Sequence, residues 1–177
     1  MGIELLERRR MLMAKIEKAP PAPLLYPDAY YVVFNGKAGV SKQITYTSRI
    51  NRYVLDGVEY NPSSTVYAVT PSTDGNHTLY FWLASSERLP NNFSAKYLRI
   101  PVSPFGWHGA FVFASTINQI DCLSEVPYSI ADVFGQWCTF QKIRVPKGSG
   151  SAYKEHQYWS KWKNIIEETN DFNYNIE

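Results

Sequence analysis

Three segments of this chain carry one short pattern at a nearly constant period. They are Leu98-Arg99-Ile100-Pro101, Ile120-Asp121-Cys122-Leu123 and Ile143-Arg144-Val145-Pro146, spaced by 22 and then 23 residues. A repeat of that length is the size of one solenoid coil, a short strand followed by a return segment. A single coil cannot bury its own apolar side, so the strands are expected to stack and the stack to end in an atypical capping unit. Such coils make surfaces for contact rather than pockets for chemistry.

The 177 residues allow one substantial domain or two small ones, and 45% hydrophobic residues suffice for a core. The apolar residues come as β-branched or aromatic clusters punctuated by Asn, Gly and Pro, which predicts a mainly β protein. Over 30–83 the pattern is strand and turn. Tyr30 to Phe34 is followed by Asn35-Gly36, Ile50 to Leu55 by Asp56-Gly57, and Ser63 to Val69 by the turn cluster Pro71 to Asn76 before Thr78 to Leu83. Asn-Gly and Asp-Gly favour hairpin turns because both central positions of a type I′ turn need positive φ. The expectation is a small antiparallel, sandwich-like β domain over 30–83, passing into repeat coils over 84–177.

Residues 3–18 are expected to form an amphipathic helix, within an anchoring segment 1–19. Leu5, Leu6, Leu12, Met13 and Ile16 form its apolar stripe, and Arg9 intrudes near the middle. Pro20 and Pro21 stop it, and a Pro-rich linker over 20–29 is expected to run extended. The stripe needs a surface. Another protein chain, the helix's own domain and anionic lipid are the three candidates, with docking on another chain or trimerisation the leading reading.

In the repeat region Phe93, Phe111 or Phe113, and Phe134 fall in return segments, where a ring would fill the space between coils. Cys122 and Cys138 read as buried, reduced thiols, because two cysteines 16 apart make neither a disulfide framework nor a zinc pair. Ser151 to Glu168 is expected to be a capping helix with Tyr153, Trp159, Trp162, Ile165 and Ile166 on its buried side.

The stretch from about Leu98 to Glu168 resembles the ending of BspA-like leucine-rich-repeat proteins. The likeness is carried by Ile100-Pro101, Phe111, Cys122, Phe134, Cys138, Val145 to Ser149, Ala152-Tyr153-Lys154, Trp159, Trp162 and Ile165-Ile166. The preceding part, with its Asp-Gly hairpin and Gly-x-His-Thr strand, resembles the small β domain that leads into such arrays. Residues 4–16 resemble the start of virion proteins of phages that infect Bacteroidetes. The resemblance implies a non-enzymatic structural or adhesive protein, most simply a bacteriophage virion component such as a head or tail fibre, decoration or receptor-contact protein. It would join other virion proteins through the N-terminal helix and meet a host-surface protein or glycan. The alternatives are a bacterial cell-surface adhesin and, third, a carbohydrate-active enzyme. The charged N-terminus reads as neither a signal peptide nor a lipoprotein leader, which favours the virion over the cell surface.

The net charge of +2 resides entirely in the first 18 residues, so no basic face for nucleic acid is expected. No run is long enough to cross a bilayer. His77, His108 and His156 lie too far apart in sequence to suggest a metal site, and no cofactor is expected. His77 reads as a turn hydrogen-bonder, and Ser149 or Ser151 as the N-cap of the last helix. Asp121, Glu125 and Asp132 are the acidic residues from which a glycosidase pair could be drawn, and their spacing does not support it. Trp107 and His108, on the Gly-rich loop 104–109, are the candidate surface contacts for sugar or protein, with Trp107 packed under its own loop as the competing reading.

Overall fold

A computed structural model of the chain describes residues 24–45, 50–62, 66–83, 94–103, 116–128 and 138–174. The strands, in chain order, are β1 (Tyr30–Gly36), β2 (Lys42–Gln43), β3 (Ile50–Leu55), β4 (Val58–Tyr60), β5 (Ala68–Val69), β6 (Gly75–Leu83), β7 (Ser94–Ile100), β8 (Thr116–Cys122), β9 (Thr139–Pro146) and β10 (Ile166–Thr169). One short helix, α1 (Gly150–Glu155), and a 3-10 helix, Ser160–Ile165, lie between β9 and β10. Among the described residues the protein is thus mainly β, as its composition predicts. The anchoring segment 1–19 and the residues Phe93, Phe111, Phe113 and Phe134 lie outside the described residues.

Eight strands form one mixed sheet in the order β10-β9-β8-β7-β1-β6-β3-β4, and β2 pairs with β5 in a separate ribbon. This corrects the expected sandwich-like domain followed by separate coils. β1 sits between β6 and β7, antiparallel to both, and so joins the antiparallel half to a parallel half of β7 to β10. A single apolar row crosses seven strands in register: Leu55, Leu79, Val32, Leu98, Ile120, Ile143 and Ile166. All seven are buried in one cluster, so both halves share one core. Removing that contiguous apolar surface from water is the main drive for the two halves to fold together.

The sequence repeat becomes a spatial one. Leu98 pairs with Ile120 and Ile120 with Ile143, so equivalent repeat positions are neighbours on parallel strands. The buried residues recur as Ala95, Leu98, Ile100, then Ile117, Ile120, Cys122, then Phe140, Ile143, Val145. Positions i and i+3 would fall on opposite faces of a regular strand. Here the register passes from Ala95–Ile117 to Tyr97–Gln119 and from Ile117–Phe140 to Gln119–Lys142, a local irregularity shared by all three strands that returns both positions to the core. Both cysteines are buried and free, Cys122 ending β8 and Cys138 preceding β9.

The expected helix over 151–168 is broken. Its apolar residues do face the core, with Tyr153, Trp159 and Ile166 buried and Trp162 and Ile165 packed against it. The backbone, however, kinks at Trp162, and Ile166 pairs with Ile143 as a fourth parallel rung, 23 residues further on. Ser149 takes the N-cap position of α1 without capping it, its hydroxyl donating instead to Pro146 O at 2.6 Å. The Glu168 carboxylate accepts from Gly150 N at 2.7 Å in its place. The backbone N–H groups of Gly148 and Gly150 hold that carboxyl below the ordinary glutamate value. Its folded value lies below its unfolded one, so this contact stabilises above about pH 4.3 and is lost as pH falls through the folded value. Glu168→Gln is expected to remove that component from the urea midpoint measured against pH, and an unchanged acid limb would show that the contact contributes nothing.

Asp56 and Gly57 form the predicted hairpin between β3 and β4, with φ of 50° and 81°. Asn35-Gly36 is not a turn. Both residues end β1, paired with Asn76 and Gly75, and a Cβ on Gly36 would come within 2.9 Å of Pro71 and 3.0 Å of His77. Glycine is used there for close approach, and the turn follows at Lys37 to Val40. Of the expected strand 63–69, residues 63–65 lie outside the described residues; Ala68 and Val69 pair as a strand, with a bridge at Val66.

Candidate functional site

The face opposite the core carries a second row, one residue along from the apolar one. In register it reads Val54, Tyr80, Tyr31, Arg99, Asp121, Arg144 and Glu167. Its last four members occupy equivalent positions on parallel strands and alternate in sign, and Arg99, Asp121 and Arg144 each lie between two buried apolar neighbours. Opposite charges on adjacent strands attract at close range.

Asp121 is the centre. It is 0% exposed. Arg144 Nε donates to Oδ1 at 2.7 Å and Arg144 Nη2 donates to Oδ2, a two-pronged pairing. The Tyr97 hydroxyl donates to Oδ2 at 2.6 Å, and the Gln119 amide to Oδ1 at 3.1 Å. Burial pushes the Asp121 carboxyl above its ordinary value, against the pull of Arg144, Tyr97 and Gln119. Burial likewise drives the Tyr97 hydroxyl well above the usual phenol range, with the Asp121 charge adding to it. The two groups are thus held against each other and against Arg144 and Gln119 on the covered face of the sheet.

Arg99 is 2% exposed and has a different partner set. Its Nη2 donates to Leu25 O at 2.8 Å and Tyr26 O at 2.9 Å. The guanidinium lies 5.3 Å from the Tyr31 ring and 5.6 Å from the Tyr80 ring, which are themselves stacked at 4.3 Å. Tyr26 adopts φ of 49°, and its ring meets Tyr80 and Trp82 edge-on at 5.1 and 5.3 Å. The described half of the expected linker, 24–29, is thus folded onto the sheet rather than extended. The reason is the buried guanidinium, which needs backbone carbonyls to replace water.

On the other side of β7 the C-terminal segment covers the row. Tyr174 stacks on Tyr97 at 4.2 Å, Phe172 O accepts from the Tyr97 hydroxyl at 3.4 Å, and the Phe172 ring lies 5.9 Å from the Arg144 guanidinium. Tyr97 and Arg99, two residues apart on one strand, therefore hold the segments on either side of the described domain.

Of the residues singled out from sequence, Leu5, Leu6, Arg9, Leu12, Met13, Ile16, Trp107, His108 and Asp132 lie outside the described residues. Asp121 is bound by Arg144 and walled off from solvent, while Glu125 is exposed, so the structure does not bring these two together as a catalytic pair. His77 is a turn hydrogen-bonder, as expected, with Nδ1 2.7 Å from Asp56 Oδ2 and Nε2 3.0 Å from Thr73 O. Among the described residues no three His, Cys, Asp or Glu side chains could hold a metal ion, and no helix is long and apolar enough to cross a membrane. Sequence reasoning missed the row Arg99, Asp121, Arg144, Glu167, although the signal is there: charges of alternating sign at each repeat position, the first three each flanked by apolar residues. No protein-family model, no curated protein and no solved structure matches this chain.

Proposed function

We propose that this protein is a non-enzymatic contact module of a larger assembly, most simply a bacteriophage virion component, in which residues 94–169 form a short leucine-rich-repeat-like stack. The observation that carries the reading is the four-rung parallel ladder. Its rungs recur at 22, 23 and 23 residues, and the first three carry buried positions at i, i+3 and i+5 as in a leucine-rich-repeat strand. Asp121 is spent on pairing with Arg144 across the strands and Arg99 on the carbonyls of Leu25 and Tyr26, which suits a scaffold. The likeness of residues 4–16 to virion proteins favours the particle. A cell-surface adhesin would use the same stack.

In this reading the N-terminal helix joins the assembly, and the Arg99 grip on Leu25 and Tyr26 fixes where that helix leaves the domain. Deleting residues 1–20 leaves the grip intact. The truncated protein is expected to keep its melting temperature while losing incorporation into oligomers or particles, measured by light scattering and by co-purification with the assembly. A truncated chain that unfolds or aggregates would place the helix in its own core and end the anchoring idea.

A further inference from the structure

We propose that the end of the sheet between β1, β7 and β8 holds a binding site for a hexuronate, a sugar unit with one carboxylate, either free or as part of a glycan chain. This goes beyond the contact function above and does not depend on the N-terminal helix or on any assembly that helix joins.

The site exists because two strands part. β1 continues to Gly36 and β7 begins at Ser94, yet their pairing runs only from Tyr31–Arg99 to Val33–Tyr97. It stops where β7 reaches its irregularity. Ala95 matches Ile117 and Tyr97 matches Gln119 on β8, while the intervening Lys96 and Asn118 stay out of the register. Irregularities of this kind end pairing and re-aim side chains. Between the parted ends lies a cleft of about 200 Å³, lined by Asn35, Ser94, Ala95, Lys96, Thr116 and Asn118. β2 braces it from outside the lining, with Lys42 Nζ donating to Ser94 O at 2.9 Å.

The polar lining is not answered internally. Arg99, Asp121 and Arg144, further along the same strands, bond to other groups of the protein. The side chains of Ser94, Lys96, Thr116 and Asn118 make no hydrogen bond or ion pair with another described residue, and Asn35 holds Asn76 by a long bond of 3.5 Å. Of the six lining residues Ala95 alone is apolar, so burial of apolar surface is not what the cleft offers a ligand. It offers bonds. The Ser94 and Thr116 hydroxyls and the Asn35 and Asn118 amides each both donate and accept, as sugar hydroxyls do. Lys96 adds a positive charge and no carboxylate lines the cleft, so the ligand's own carboxylate answers it through a charge-assisted bond. The volume equals that of about six or seven waters at about 30 Å³ each, which is room for one sugar ring. Asn35, Ser94, Thr116 and Asn118 are exposed, so the ring can be entered free or while linked to others.

Titration of the full-length chain, followed by its amide NMR shifts, tests this. The probes are sodium galacturonate and sodium glucuronate, with glucose supplying hydroxyls without the charge and acetate the charge without the hydroxyls. At least one uronate is expected to shift the amides of Asn35, Lys96, Thr116 and Asn118 saturably. It should bind about tenfold or more tightly than either control, since each control lacks one part of the bonding. Lys96→Gln should remove the advantage over glucose, and Thr116→Ala with Asn118→Ala the advantage over acetate. The wild-type comparison decides by itself should a variant misfold. Binding of neither uronate, acetate or glucose binding as tightly as the uronates, or an advantage over glucose that survives Lys96→Gln overturns the site. Trigalacturonate separates the two sources of the unit: tighter binding than galacturonate assigns it to a glycan chain, and equal binding to a free sugar acid.

Discussion

Arg144→Ala is expected to destabilise the protein by about 3–5 kcal/mol at neutral pH, because it leaves the fully buried Asp121 carboxylate with no countercharge in contact. The cost has a pH signature that a plain packing defect lacks. Burial already raises the Asp121 carboxyl, and losing the guanidinium raises it further. A group whose folded value exceeds its unfolded one binds protons more tightly when folded, so the variant gains stability as pH falls through the folded value toward the ordinary aspartate value near about 3.9. The gap between wild type and variant in urea-unfolding free energy should therefore narrow on acidification. A gap of constant size would mean that Arg144 matters only as bulk. Replacing both partners, Asp121→Leu with Arg144→Met, is expected to recover most of the loss, since no buried charge then remains unpaired.

Trp159→Ala should cost a similar amount, about 3–5 kcal/mol, for a different reason. Trp159 is 2% exposed, meets Tyr153 edge-on at 5.3 Å and donates from its indole nitrogen to Tyr128 O at 3.3 Å. It thereby ties the crossover after β9 to the crossover after β8. Removing the ring leaves a cavity lined by aromatic groups. For a chain of this length the melting temperature should fall by about 10 °C. Trp162, expected beside Trp159 on the buried side of that segment, is only partly buried, against Phe140 at 4.9 Å, and its replacement by alanine should cost less. Equal losses for the two, or a loss below about 1 kcal/mol for Trp159, would show that the cap is held elsewhere.

The contrast between the two tryptophans shows where the sequence stops being informative. Helical periodicity over 151–168 picks out Tyr153, Trp159 and Ile166 as core residues, because apolar side chains are buried in whatever backbone carries them. It cannot decide the backbone itself. A short apolar run such as Ile165-Ile166 suits a helix end or a strand equally, and the choice fell to strand because Ile143 offered an open edge at the repeat spacing. Asn35-Gly36 fails for a related reason. The dipeptide permits a tight turn, but the glycine answers the approach of Pro71 and His77, which are far away in sequence.

By itself, then, the sequence determined the β-rich class, the strands Tyr30 to Phe34 and Ile50 to Leu55, the Asp56-Gly57 hairpin, and a repeat whose equivalent residues become parallel neighbours. Each of these depends on local conformational preference or on a fixed spacing along the chain. The tertiary structure alone decided that β1 would enter between β6 and β7 and merge two expected regions into one sheet, since alternation of apolar residues marks a strand without naming its neighbour. It also decided that the second face would be covered, by the Leu25–Tyr26 turn on Arg99 and by Phe172 and Tyr174 on Tyr97. That covering buries Arg99 and Asp121, whose charges must be answered by other groups of the protein because water no longer can.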